Sequence, residues 1–86
     1  MVNPALAHFA AELRDARGRR RLTQVELGSL SGVSHKTILR FENGQREPRL
    51  GQIVALAEAL AIPASTLLPE SDPRIAQLPD DHRAAS

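Results

Sequence analysis

Residues 23–44 read Thr23-Gln24-Val25-Glu26-Leu27-Gly28-Ser29-Leu30-Ser31-Gly32-Val33-Ser34-His35-Lys36-Thr37-Ile38-Leu39-Arg40-Phe41-Glu42-Asn43-Gly44. Thr23 with Glu26 three residues on is a capping box, in which hydroxyl and carboxylate each take one otherwise unpaired N–H. The helix it opens is short. Gly32 follows and can take the left-handed conformation that ends a helix. Leu27 and Leu30 are its expected inward residues. Ser34 caps the next helix, Ile38 and Phe41 mark its buried side, and Asn43-Gly44 ends it. The spacing predicts one helix over residues 24–31, a turn at Gly32-Val33 and a second helix over residues 35–43. Two short helices across a tight glycine-containing turn make a helix-turn-helix. Val33 is expected to fill the gap between them, and Gly28 to lie where they approach closely.

The flanks extend the same pattern. Asn3-Pro4 is a start signal, Asn as cap and Pro at a first helical position where a missing N–H costs nothing. Leu6, Phe9, Ala10, Leu13 and Ala16 recur at three- and four-residue spacing, one apolar stripe of a helix. Gly18 and the Arg19-Arg20-Arg21 cluster mark its end near residues 17–19, where cations suit the negative end of the helix dipole. After a polar loop and Pro48, Leu50, Ile53, Val54, Ala57 and Leu60 form the stripe of a further helix. Pro63 stops it and begins a short last turn, with Leu67 and Leu68 packing back. No alternating run of β-branched residues marks a strand. The expected class is all-α, with one domain over residues 1–68. From Pro69 to Ser86 three prolines interrupt the chain and acids outnumber bases, so that stretch is expected to be a flexible or loosely docked acidic tail.

A chain of 86 residues supports one small core. With only Phe9 and Phe41 as aromatics, that core must be aliphatic. The absence of cysteine excludes disulfides, Cys-ligated zinc and iron–sulfur clusters. No apolar run approaches the ~18–20 residues that span a bilayer, and the N-terminus does not read as a signal peptide. No membrane association and a cytoplasmic location are expected. The net charge of +1 hides an asymmetry: residues 1–50 hold nine Lys/Arg against five acids, whereas residues 51–86 hold two against five. Either the first half faces a polyanion or the split is the kind that arises by chance in small proteins.

Rotating residues 35–43 at about 100° each sets Lys36, Arg40 and Asn43 opposite Ile38 and Phe41, flanked by His35 and Leu39. The face holds no acid, and each residue except Leu39 can donate a hydrogen bond. Such a face fits the DNA major groove, where guanine offers O6 and N7 as acceptors. Arg40 is the candidate for a bidentate guanine contact, with His35 and Lys36 reading nearby bases. Leu39 either meets a thymine methyl or is a tolerated exposed leucine. Arg19–Arg21 is either a solvated helix end or a phosphate-contacting patch.

Leu22-Thr23-Gln24, Leu27, Gly32-Val33-Ser34, Thr37-Ile38, Phe41-Glu42-Asn43-Gly44, Arg46, Pro48 and Leu50 resemble the Cro/repressor, or XRE, helix-turn-helix family. The likeness continues through Ala57-Glu58-Ala59-Leu60 and Leu67-Leu68, covering about residues 6–68. It implies a compact five-helix, lambda-repressor-like DNA-binding domain that binds double-stranded operator DNA, usually as a homodimer on paired half-sites. By position it implies base reading by His35, Lys36 and Arg40, and phosphate contacts by Gln24, Thr37 and Asn43; from the helix face and the basic loops, Leu39 is a further base-reading candidate and Arg21 and Arg46 further phosphate candidates. It also implies a salt bridge between Arg17 and Glu42, where either charge alone would be costly. Two positions depart from the family. Gly28 stands where a small residue, often Ala, is common, and Arg21 stands where a Gly is common.

Other chemistry finds little support. His8, His35 and His82 have no metal-ligand spacing, and Ser34-His35 are neighbours that cannot face one another as nucleophile and base. No metal, cofactor or enzymatic activity is expected. A rival reading is an antitoxin or adaptor whose acidic tail folds on a protein partner, with DNA binding as autoregulation.

Overall fold

The computed structural model describes residues 3–83. Helix α1 spans Pro4–Arg19, α2 Gln24–Ser31, α3 His35–Glu42 and α4 Leu50–Leu60. Three 3-10 turns follow, at Ala64–Leu67, Pro73–Gln77 and Asp80–His82, and no strand occurs among the described residues.

Each helix is bounded by its own side chains. Asn3 Oδ1 accepts the Ala5 N–H at 2.9 Å, with Pro4 in the first turn. Thr23 and Glu26 close the capping box in both directions: the Thr23 N–H donates to Glu26 Oε1 at 2.8 Å, and the Glu26 N–H to Thr23 Oγ1 at 3.0 Å. Gly32 ends α2 at φ 77°, a left-handed conformation that glycine enters without penalty. Ser34 caps α3 by accepting the Lys36 N–H at 3.2 Å. At α4 the Arg49 N–H donates to Gln52 Oε1 at 2.9 Å. That helix ends on Ala61, itself left-handed at φ 57°, before Pro63 is reached.

The core gathers Phe9 and Leu13 of α1, Leu27 of α2, Ile38 and Phe41 of α3, and Ile53, Leu56 and Leu60 of α4. The two aromatics meet edge to face, ring centroids 5.3 Å apart and planes at 74°, which locks α1 onto α3. Helix α3 packs on α1 and α2, and α4 packs on α2 and the first 3-10 turn.

Three expectations are corrected. The fifth helix is not an α-helix: residues 64–67 make a single 3-10 turn behind Pro63, too short for a second turn before Pro69. Leu30 points outward at 63% exposure. Gln24, Gly28 and Ser31, the half-buried residues of α2, all lie on one side of Leu27, and Leu30 lies about 60° away on the other. The third correction narrows the tail, expected to be flexible or loosely docked: through residue 83 it is docked, folded onto the domain. Leu78 is buried in the core, and the buried His82 takes the Ala64 N–H on Nδ1 at 3.1 Å with Nε2 3.3 Å from Glu58 Oε2. Asp72 with Pro73 opens the second 3-10 turn by the same cap-and-proline device that starts α1. Residues 1–2 of the expected domain and 84–86 of the expected tail lie outside the described residues.

Candidate nucleic-acid interface

Helix α3 is anchored from three sides. Ile38 and Phe41 are fully buried, Ser34 fixes the first turn, and Glu42 is buried at the last residue. Arg17 Nε donates to Glu42 Oε2 at 2.6 Å and Nη2 to Oε1 at 2.8 Å, while Nη1 donates to the Leu22 carbonyl at 2.8 Å. Hydrogen bonding to Glu42 raises the Arg17 guanidinium above its usual range, against the opposing pull of burial. One guanidinium thus joins α1, the loop before α2 and the end of α3.

Gln24 completes this cluster. Its Nε2 donates to Glu42 Oε1 at 3.2 Å, so the side chain expected at a phosphate is turned toward the carboxylate and ties α2 to α3. The angle between those two helices is set at Gly28. A Cβ there would stand 2.9 Å from the Val33 carbonyl oxygen and 3.2 Å from the His35 nitrogen. Val33 is buried in the turn.

Anchored this way, α3 turns His35, Lys36, Leu39 and Arg40 to the outside, and that exposed face carries no carboxylate. Leu39 is 45% exposed. Asn43 is exposed at the end of the helix, and Thr37 is half-buried at its side. Arg21 and Arg46 are exposed on the loops that flank the unit, Arg21 in the left-handed region at φ 55°. The arrangement offers hydrogen-bond donors and cations along the exposed side of one helix. It can lie in a groove and meet acceptor edges and phosphates. No group of three or more His, Asp or Glu residues able to hold a metal ion occurs among the described residues.

Sequence reasoning missed the contacts of Asp72, Arg74 and His82. Arg74 bonds Asp72 through Nε and Nη2 and reaches the Pro48 carbonyl through Nη1. The Asp72-Pro73 pair was the available signal, since it repeats the logic of Asn3-Pro4.

A short helix presented across a glycine turn, basic and acid-free on its outer face, defines a DNA-binding helix-turn-helix domain. The family profile described as "Helix-turn-helix domain" matches residues 8–68. The chain belongs to this family, in its XRE-type branch. It is 46% identical over 61 residues to the HTH-type transcriptional repressor RghR of Bacillus subtilis (strain 168), covering 70% of this chain and 45% of that protein. Among solved structures, the restriction-modification controller protein C.AhdI from Aeromonas hydrophila is 36% identical with a TM-score of 0.71, over 73% of this chain and 96% of that one. The hydroxypropylphosphonic acid epoxidase from S. wedmorenis is 30% identical with a TM-score of 0.70, over 79% of this chain and 36% of that one. The chain spans 40–60% of the length of the curated relatives it matches. No helix among the described residues is long and apolar enough to cross a membrane.

Proposed function

We propose that this protein is a sequence-specific regulator of transcription that represses by occupying double-stranded DNA as a homodimer on paired half-sites. The observation that carries the reading is the exposed, acid-free α3 face on a helix whose opposite side is buried and pinned by Arg17 and Glu42. The resemblance to a repressor and to a restriction-modification controller supports it. Arg40, Lys36 and His35 read base edges, and Leu39 meets a thymine methyl. Thr37, Asn43, Arg21 and Arg46 hold phosphates on either side, and Gln24 swings from Glu42 to the backbone as the DNA seats. The tail reading with a protein partner has weaker footing, because Leu78 and His82 are already buried against the protein's own domain.

Fluorescence anisotropy on a labelled duplex at increasing salt tests the reading. With three to four phosphates neutralised by each subunit, log affinity should fall against log salt with a slope of roughly −5 to −7. A slope between zero and about −2 would overturn it.

A further inference from the structure

The loop that carries Arg46 holds itself poorly. On one side the Gln45 N–H bonds back to the Arg40 carbonyl at 2.9 Å; on the other the Arg49 N–H bonds forward to Gln52 Oε1 at 2.9 Å. Between these anchors, among the described residues, the backbone of residues 46–48 takes part in one hydrogen bond. Its donor is Arg74 Nη1, 3.3 Å from the Pro48 carbonyl oxygen. The same nitrogen lies 3.9 Å from Glu47 Oε1.

Arg74 makes that contact from a fixed base. Asp72 accepts its backbone N–H at 2.9 Å, its Nε at 3.2 Å and its Nη2 at 2.9 Å. Asp72 is also the cap of the 3-10 turn at Pro73–Gln77, and the next residue, Leu78, is buried in the core. The guanidinium therefore has one nitrogen left to offer, and it is aimed at Pro48.

We propose that Arg74 is a positioning residue for DNA binding: from the C-terminal segment it holds the Arg46–Pro48 loop in place, so that Arg46 meets its phosphate without first being ordered. The proposal rests on the assignment of Arg46 to a phosphate. A loop restrained before encounter loses less freedom on binding, and each side chain so ordered is worth a factor of about 2 to 10 in affinity. Arg74 acts through Arg46 and not through its own charge.

A double-mutant cycle tests this, with Arg46→Ala, Arg74→Met and the double variant of the full chain titrated onto a random-sequence 24-base-pair duplex across a salt series. Melting curves for each variant identify a temperature at which all are folded. The expected result has Arg46→Ala weakening binding and flattening the salt slope by about 1. Arg74→Met should weaken binding about 3- to 10-fold alone and less than 2-fold in the Arg46→Ala background. Equal losses in both backgrounds would show that Arg74 acts through its own charge, overturning the proposal. So would a lowered melting temperature with unchanged affinity, which would make Arg74 purely structural. An inert Arg46→Ala would overturn the phosphate assignment itself, an outcome distinct from the other two. If Arg74→Met does not fold, Arg74→Lys replaces it. Lysine keeps the charge but cannot grip Asp72 and Pro48 together, so undiminished affinity would again overturn the proposal.

Discussion

Arg17 and Glu42, 25 residues apart in sequence, meet in a two-pronged ion pair beneath the helix-turn-helix, with nitrogen–oxygen distances of 2.6 and 2.8 Å. The Glu42 side chain is 4% exposed and the Arg17 side chain 20%, so water screens little of the interaction. The pair is the joint that fixes α3 relative to α1, and through Gln24 it also reaches α2.

Breaking that joint should be severe. Arg17→Met leaves a buried carboxylate with only Gln24 beside it and should lower the unfolding free energy by about 3–5 kcal/mol. That is a large part of the ~5–15 kcal/mol available to a domain. Glu42→Gln should cost less, since the amide oxygen still accepts from Arg17. Urea denaturation of the two variants checks this. A loss below about 1 kcal/mol for Arg17→Met would mean that the charges act as independent surface groups.

Arg21 sits at φ 55°, between an N–H bonded to the Gly18 carbonyl at 3.0 Å and a Leu22 N–H bonded to the Arg17 carbonyl at 3.2 Å. A side chain in that conformation costs roughly 1–2 kcal/mol, which glycine avoids. Arg21→Gly should therefore raise the melting temperature by several degrees. If Arg21 also holds a phosphate, the same variant should bind duplex DNA more weakly, with the salt slope reduced by about 1. Calorimetry and anisotropy on one preparation separate the two effects. A fall in melting temperature would contradict the strain argument, and an unchanged slope the phosphate role.

The Asp72 carboxyl is held below its ordinary value, first by the side-chain hydrogen bond from Arg74 and further by that residue's backbone N–H and charge. A carboxyl lowered on folding stabilises the protein fully above its unfolded value, here about 3.8, and progressively less as the pH falls through the folded value. Asp72→Asn should thus be less stable than the parent at pH 7, and the gap should narrow as the pH drops below about 4. The exposed Glu26, also lowered by its bonds to Thr23, is common to both proteins and cancels in the difference. Melting temperatures of parent and variant from pH 2 to 7 check this. A gap constant across the range would contradict it.

Local signals in the sequence predicted most of the framework. The Thr23–Glu26 box, the Ser34 cap and the left-handed Gly32 are each decided within a few residues, so they could be read without a tertiary structure. The exposed residues of α3 followed from periodicity once Ile38 and Phe41 were set inward. What could not be read depends on neighbours far along the chain. The side to which Leu30 points depends on where α4 packs against α2, and 60° of rotation separates burial from exposure. The tail read as flexible or at most loosely docked because its composition is polar and proline-rich. Its order comes from Leu78 entering a core built by other elements and from His82 meeting Ala64, 18 residues earlier. Gly28 was expected where α2 and α3 approach closely, although it also stood as a departure from the Ala common at that position. In the structure it reads as fit, since an added methyl would meet the Val33 carbonyl.

The outer face of α3 is proposed to read base sequence. Selection of bound fragments from a random double-stranded pool, with the parent protein and Arg40→Ala in parallel, tests it most directly. The expected result is a two-fold symmetric motif that, in the variant, loses preference by about 1–3 kcal/mol at one or two base pairs per half-site. Enrichment of no motif, or a motif identical in the two proteins, would contradict the claim that this face and this arginine carry the recognition.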